Sequence, residues 1–431
     1  MTLTDPRTGD TCRIIRHRSG LELRIAELPD FRTASAQLVT KFGAQHIRFR
    51  TDAGAAVTEM PPGIAHYLEH KLFENPECSA SELFAQLGAH DNAYTDYDRT
   101  VYYFQTAREF PAALRVLLSF VTHPFFTAEN VERERGIIMQ ELQEALDDPA
   151  DVLEMQLFSG LFHTHPVQNH ILGTVQSIRQ ITPALLDQCW QTFYNLNNMA
   201  LCCAGNITAE EVVQIADTVL PETAPPMRAV PVLPPEPEGV RKRRLQCSMD
   251  VGRTQFMIGF KSTPAAGTER LRESLLCLLV IELLAGDSSP LYLRLLDCGL
   301  LHDTLAADCL AGDGWFTVTA EGESDAPDAV CAALCEEIAR AKTGGLDTQR
   351  FTDCKKAAYG DALIGLNSPE AAADAMTDAF AAGLDSPFAR TELLAALTLS
   401  DAQDCLMRRF DPDCLTLSVI TPQTNKKKGE H

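Results

Sequence analysis

Basic residues, long apolar runs and paired cysteines are what this 431-residue sequence lacks. Its 37 lysines and arginines face 59 aspartates and glutamates, for a formal net charge of −22. A surface of that sign repels phosphate backbones and anionic headgroups, so neither nucleic acid nor a membrane is expected as a partner. No run of about 18 apolar residues occurs, so no membrane-crossing helix is expected. The longest apolar stretch, around residues 275–285, is interrupted by Glu282 and reads as a buried helix. The start, MTLTDPRTGD, has no basic segment followed by apolar residues and a small-residue cleavage site, which points to a cytoplasmic location. Fourteen cysteines are scattered from Cys12 to Cys414 without one Cys-x-x-Cys pair. Thiolate zinc sites need closely spaced ligands, so these thiols read as small buried hydrophobes in a reducing compartment.

What is present is ordinary for a soluble globular chain, 45% apolar and 22% charged, and the length suits about two domains of roughly 200 residues. The clearest boundary is PETAPPMRAVPVLPPEPEG, residues 221–239, whose seven prolines exclude helix and central strand. The expected division is therefore an N-terminal domain over 1–222, a linker over 223–243 and a C-terminal domain over 244–431. The basic cluster Arg241-Lys-Arg-Arg244 reads as the solvated lead-in to the next strand. Both halves run in a similar order. Strands are predicted at 21–28 and 34–42, a helix from about Pro62, a strand at 100–105 and a long helix over 129–146. The second half repeats this with a strand at 255–261, a helix over 269–284, a strand at 314–321 and a helix over 328–342. Such repetition suggests duplication. The end, residues 425–431, reads as a polar, disordered tail.

The chemistry is concentrated in Pro61-Pro-Gly-Ile-Ala-His66-Tyr-Leu-Glu69-His70-Lys-Leu-Phe73. On a helix, residues four apart share a face, so His66 and His70 can offer imidazole nitrogens to one ion with Glu69 on the same side. Pro62 suits the first turn, and Ile64, Leu68 and Leu72 supply packing that holds the helix rigid. This H-x-x-E-H pattern is the inverted form of the commoner zinc-peptidase motif. A catalytic zinc also needs a third protein ligand and one open position. Residues 129–146 offer candidates: Val131, Glu134, Ile138, Glu141 and Ala145 form one helical stripe. Glu134 and Glu141 thus fall inside an apolar arc, where an ionised carboxylate needs a partner such as a metal. Glu132 and Glu144 sit at its edges and read as solvated. The crowded His163, His165 and His170 flank Pro166, which denies them a common helical face, so they read as a loop.

The stretches 64–73 and 132–141 resemble the pitrilysin/insulinase family of zinc peptidases, within it the bacterial relatives of mitochondrial processing peptidase. Residues 88–95, 100–104 and 165–173 match further, and the second half only in outline. The resemblance implies an α+β fold of two similar domains, each an antiparallel-rich sheet with helices packed on one face, forming half of a clam shell. It makes His66, His70 and Glu141 the Zn²⁺ ligands, Glu69 the general base and Glu134 an auxiliary acid. Asn92 and Ala93 match the start of the edge strand along which the family lays its peptide substrate, a mode that uses the unpaired backbone groups of an edge. In that mechanism zinc acidifies a water towards a pKa of about 7, and Glu69 takes its proton and returns it to the leaving amine. The implied activity is a zinc-dependent endopeptidase acting on enclosed peptides or unfolded segments; the rival from another class is a non-catalytic peptide-binding or scaffold subunit. Degenerate subunits lose ligands of the inverted motif, and here all of its positions are filled. Active relatives also place an arginine and a tyrosine in the second half. The matching segment, Ser288 to His302, has Leu295 or Leu296 and His302 at those places, with Arg294 one residue out of register. That departure suggests the zinc-bearing subunit of a heterodimer whose homologous partner supplies both side chains; the alternatives are a shifted match in which Arg294 and His302 serve in their place, and a homodimer.

Overall fold

The computed structural model describes residues 1–51, 54–223 and 229–423. The polar tail over 425–431 and part of the proline-rich stretch therefore lie outside the described residues. Contacts divide the chain into two compact units: residues 1–142, 169–233 and 360–392 form one, and residues 143–168, 234–359 and those from Leu393 onward form the other.

The strands of the first unit are β1 (Thr2–Thr4), β2 (Thr11–Arg16), β3 (Glu22–Glu27), β4 (Ala34–Thr40), β5 (Arg48–Arg50), β6 (Thr58–Glu59), β7 (His90–Thr95), β8 (Thr100–Thr106), β9 (Met199–Gly205) and β10 (Val230–Pro231). Seven of them build one sheet in the order β1-β2-β3-β9-β4-β8-β7, and β10-β5-β6 form a small second sheet. Only β3 and β9 pair in parallel in the large sheet. The helices on one face are α1 (Ile64–Leu72), α2 (Ala80–Leu87) and α3 (Phe110–Thr122). Phe104 stacks against Phe84 of α2 and Phe110 of α3, and Tyr102 packs on Phe73 and Phe120. Residues one step along each strand point the other way. Val39, Val101, Ala200, Cys202 and Ala204 meet Ala373, Met376 and Phe380 of the helix Pro369–Ala381. The second face is thus covered too, which is why every residue of β4 and β9 is buried. Gln37 of β4 is satisfied across that layer: it donates to Asp374 and accepts from Thr377.

The second unit holds β11 (Arg244–Met249), β12 (Gln255–Lys261), β13 (Ala306–Gly312), β14 (Trp315–Glu323) and β15 (Leu415–Pro422), in the order β11-β15-β12-β14-β13. Again one pair, β11 with β15, is parallel and the rest are antiparallel. This repeats β3-β9-β4-β8-β7 strand for strand, so the duplication read from element order extends to topology. The helix Gly267–Ala285 follows β12 as α1 follows β4 once the short β5 and β6 are passed over, but it carries no histidine.

Two helices differ from a division into contiguous halves. The helix α4 (Ala128–Asp147) leads into α5 (Pro149–Leu161), which packs on β11, β12 and β15 of the second unit. Gly160 permits this: a Cβ there would lie 2.5 Å from Leu245 and 2.6 Å from Thr416 side-chain carbons. Conversely Pro369–Ala381, late in the chain, belongs to the first unit, where Arg24 also donates to the carbonyls of Leu384, Asp385 and Met376. A boundary at the prolines cannot anticipate either placement, because each helix is buried by a sheet remote in sequence. The proline-rich stretch itself is extended where described. Val230–Pro231 pairs with β5, and Glu236 accepts from the backbone N–H groups of His163, Thr164 and His165 and from Lys261 Nζ at 2.6 Å.

Candidate metal centre

The centre is assembled where α1 crosses α4 in the first unit. The backbone enters α1 through Gly63 at φ 91°, the left-handed region that favours glycine. A Cβ at Gly63 would also lie 2.4 Å from the carbonyl oxygen of Leu172, so only glycine lets the 169–173 loop press against the start of the helix. Farther along, the Tyr67 hydroxyl donates to the carbonyl of Val131 and Lys71 Nζ to that of Asn130, at 3.2 Å for the latter. These bonds, one helical turn apart and each directly after a motif histidine, fix α1 against α4, with Leu68 and Leu72 fully buried.

His66, His70 and Glu141 bring one donor atom each to within 4.8 Å of one another, the only such grouping of three metal-binding side chains among the described residues. His66 Nε2 lies 3.5 Å from Glu141 Oε1, and His70 Nε2 lies 3.5 Å from Glu141 Oε2. Ligand atoms about 2.0–2.2 Å from a tetrahedral ion stand about 3.3–3.6 Å apart, so each histidine–carboxylate separation, one to either oxygen of Glu141, is of the size a shared Zn²⁺ would set. Both distances are longer than an ordinary hydrogen bond, and Glu141 Oε2 is buried without a hydrogen-bond partner. A cation is the group that would satisfy it, and two imidazoles with one carboxylate are a borderline-soft donor set suited to zinc.

Glu134 is buried inside the α4 stripe together with Val131 and Ile138. It does not join the cluster but accepts a hydrogen bond from His70 Nδ1 at 3.0 Å. That bond leaves the Nε2 lone pair of a neutral His70 directed at Glu141, the usual outer-shell support of a metal-bound imidazole. Burial opposes the charged form of Glu134, yet the His70 bond and the nearby Lys71 and Arg133 lower its pKa on balance. Lys71 is wholly buried and drops to about 8 through desolvation. Beside His66, Glu141 likewise titrates below the usual carboxylate range.

Glu69 points elsewhere. Its carboxylate is buried, and Thr95 Oγ1 donates to its Oε2 at 2.5 Å. Desolvation pushes its pKa up against the opposing pull of His66 and Thr95. A buried carboxylate outside the ligand set and close to both histidines is a group able to take and return a proton. Thr95 closes β7, the edge strand, which among the described residues pairs with β8 alone. Asn92 is exposed on it, opposite Tyr103, and Ala93 stands opposite Tyr102. Of the residues expected at the arc's edges, Glu132 and Glu144 are both exposed.

The three crowded histidines are dispersed. His165 is buried with Nε2 3.0 Å from the carbonyl of Asp313, and the backbone N–H of His163 donates to Glu236. His170 lies in the loop pressed on Gly63 and is close enough for its charge to lower the pKa of Glu141. Sequence reasoning missed that proximity, as it missed Thr95. The signal for the loop was Gly173, which has φ 80° and meets the Pro62 carbonyl as Gly63 meets that of Leu172.

A duplicated α+β topology, with an H-x-x-E-H helix facing a glutamate-bearing one in the first copy alone, is the layout of one class of metallopeptidase fold. The chain belongs to that family: the family model described as insulinase, peptidase family M16, matches residues 51–175, and that of the peptidase M16 inactive domain matches residues 180–358. A protein of Bacillus subtilis named as an uncharacterised zinc protease is 32% identical, over 94% of this chain and 95% of its own. A crystal structure of an M16-like peptidase from Alicyclobacillus acidocaldarius superposes with a TM-score of 0.93 and 30% identity, covering 98% of this chain and all of the other. A Schizosaccharomyces pombe protein named as a mitochondrial-processing peptidase beta subunit is 38% identical over 173 residues, 38% of each chain. The half matched by the inactive-domain model lacks any such cluster among its described residues.

Proposed function

We propose that the chain is a zinc-dependent endopeptidase in which His66, His70 and Glu141 hold the ion and Glu69 moves the proton. One observation carries this reading: ligand atoms of His66, His70 and Glu141 converge to within 4.8 Å of one another beside a buried carboxylate, Glu69, that is not one of them. Bound zinc would polarise a peptide carbonyl and acidify a water. Glu69, kept from solvent and held by Thr95, accepts that proton and returns it to the departing amine. Glu134 fixes the His70 tautomer and makes its Nε2 a stronger donor to the ion. The open side of β7 offers backbone groups to an extended peptide, with Asn92 and Ala93 at its start. The substrate class is therefore peptides or unfolded segments, which can supply a strand; folded proteins cannot.

The second half supports a two-chain enzyme. In the helix Pro290–Asp297, Leu295 is buried, and Arg294 is exposed one residue away. His302 is engaged with Asp325 at 3.3 Å. None of these side chains offers a free donor in the register where active relatives of the family place an arginine and a tyrosine. A homologous partner chain would supply them, reaching the reacting carbonyl as an oxyanion donor does. The fourteen thiols carry no disulfide. Cys277 and Cys405 sulfurs lie 3.6 Å apart unbonded, which supports work in a reducing, cytoplasmic setting. The test is digestion of a peptide library by the zinc-loaded chain, alone and mixed with a paralogue lacking the inverted motif. Cleavage that rises at least about tenfold on mixing supports the reading. Full turnover by the chain alone would remove the two-chain part, and no cleavage in either arm would remove the activity.

A further inference from the structure

Thr95 joins two parts of the first unit that the mechanism otherwise treats separately, the strand edge and the base. Its hydroxyl has one proton and two neighbours. Glu69 Oε2 is 2.5 Å away and Thr100 Oγ1 is 3.4 Å away. The Thr100 hydroxyl donates to the carbonyl of Phe42 at 2.8 Å, so its own proton is committed elsewhere. The Thr95 proton therefore goes to Glu69, a charge-assisted bond in a buried setting. The backbone of Thr95 has a different partner to find. Asp96 N–H donates to the carbonyl of Arg99, closing the β7–β8 turn. Ladder bonds alternate along an antiparallel pair, so Tyr94 and Asn92 face β8, whereas Thr95 and Ala93 turn their backbone groups to the open edge. Ala93 fits this alternation, its N–H donating to the Asn92 side chain at 2.8 Å instead of to β8.

We propose that Thr95 is a positioning residue of the reaction, its hydroxyl aiming Glu69 while its backbone sits on the edge that receives the peptide. The inference rests on the endopeptidase reading given above. By holding Oε2, Thr95 leaves Oε1 as the free oxygen of a carboxylate with few other donors, so the base has one defined orientation. Seating a peptide strand along Ala93 and Thr95 then sets the scissile bond and the base from the same residue. The role is one of geometry, since the partners of the Thr95 hydroxyl are Glu69 and Thr100 and not a proposed metal ligand.

Thr95→Val keeps the volume and the β-branched shape and removes only the hydroxyl, so the strand should survive. In the zinc-loaded chain, with its partner where one is needed, Thr95→Val should lower kcat about 10- to 100-fold. KM should stay within about threefold and zinc content should not change. Thr95→Ser should recover most of the loss. A second readout avoids turnover: urea unfolding of the zinc-free wild type, Thr95→Val, Glu69→Gln and the double variant should give non-additive effects. Unchanged kcat, a change confined to KM, loss of zinc, failure of serine to rescue or an additive cycle would each overturn the proposal. A wild type that cleaves nothing, or a Glu69→Gln variant that cleaves normally, would instead sink the endopeptidase reading, and the unfolding cycle would still decide whether Thr95 and Glu69 are coupled.

Discussion

Replacing Glu134 with glutamine removes one negative charge and little else. The side chain keeps its length, and its carbonyl oxygen can still accept from His70 Nδ1, now 3.0 Å from the carboxylate. What is lost is the charge that favours a cationic centre and that faces wholly buried Lys71 across 4.0 Å. Removing an outer-shell partner of a metal-bound histidine typically costs about 10- to 100-fold in affinity. Because the hydrogen bond survives, Glu134→Gln should fall near the lower figure, about 1.4 kcal/mol. Glu134→Ala, which also frees the His70 ring to turn, should approach the upper one. The assay is competition for zinc against a chelator of known affinity, with Glu132→Gln as the control on the exposed side of α4. Wild-type affinity in both Glu134 variants would refute the supporting role. So would complete loss of zinc in Glu134→Gln, which would make Glu134 a ligand.

Glu141→Gln should weaken zinc far more than Glu134→Gln does, whereas Glu144→Gln should stay within a few-fold of the wild type; the reverse order in a zinc titration would overturn the assignment along α4. Glu236 gives a prediction about pH. Burial opposes its charge, but the bond from Lys261 and three backbone N–H donors hold its pKa at about 2, below the ordinary 4.5. A carboxyl depressed on folding contributes stability that is fully present above the unfolded pKa and is lost as pH falls through the folded one. Discounted for solvent screening, that contribution is on the order of 1–2 kcal/mol. Glu236→Gln should therefore be less stable than the wild type at neutral pH, and urea unfolding should show the gap closing from about pH 4.5 down to about pH 2.

Much of this centre was legible because helical spacing is a local property. His66, Glu69 and His70 declare a face within five residues, and Val131, Glu134, Ile138 and Glu141 declare another within eleven. The strands 34–40, 100–106 and 255–261 stand within two residues of where alternation and apolar runs placed them. Three features were not legible, for a common reason. The placement of α5 and of Pro369–Ala381 depends on which distant sheet buries them, and their own sequences read as apolar helices in any context. Thr95 is one threonine among many until the fold carries it to Glu69, 26 positions away. His170 sits in a loop whose path is set by Gly63 and Gly173, and positive φ leaves no periodic trace. Local chemistry was written in the chain, and its long-range supports were not.

The most direct test of the central claim is to measure zinc content and peptide turnover together for Glu69→Gln. Glu69 is buried beside the ligands yet outside the cluster of His66, His70 and Glu141. The variant should retain about one zinc per chain while peptide hydrolysis falls by several orders of magnitude. Loss of zinc would make Glu69 a ligand, and retained hydrolysis would leave the reaction without its proposed base; either result would contradict the account.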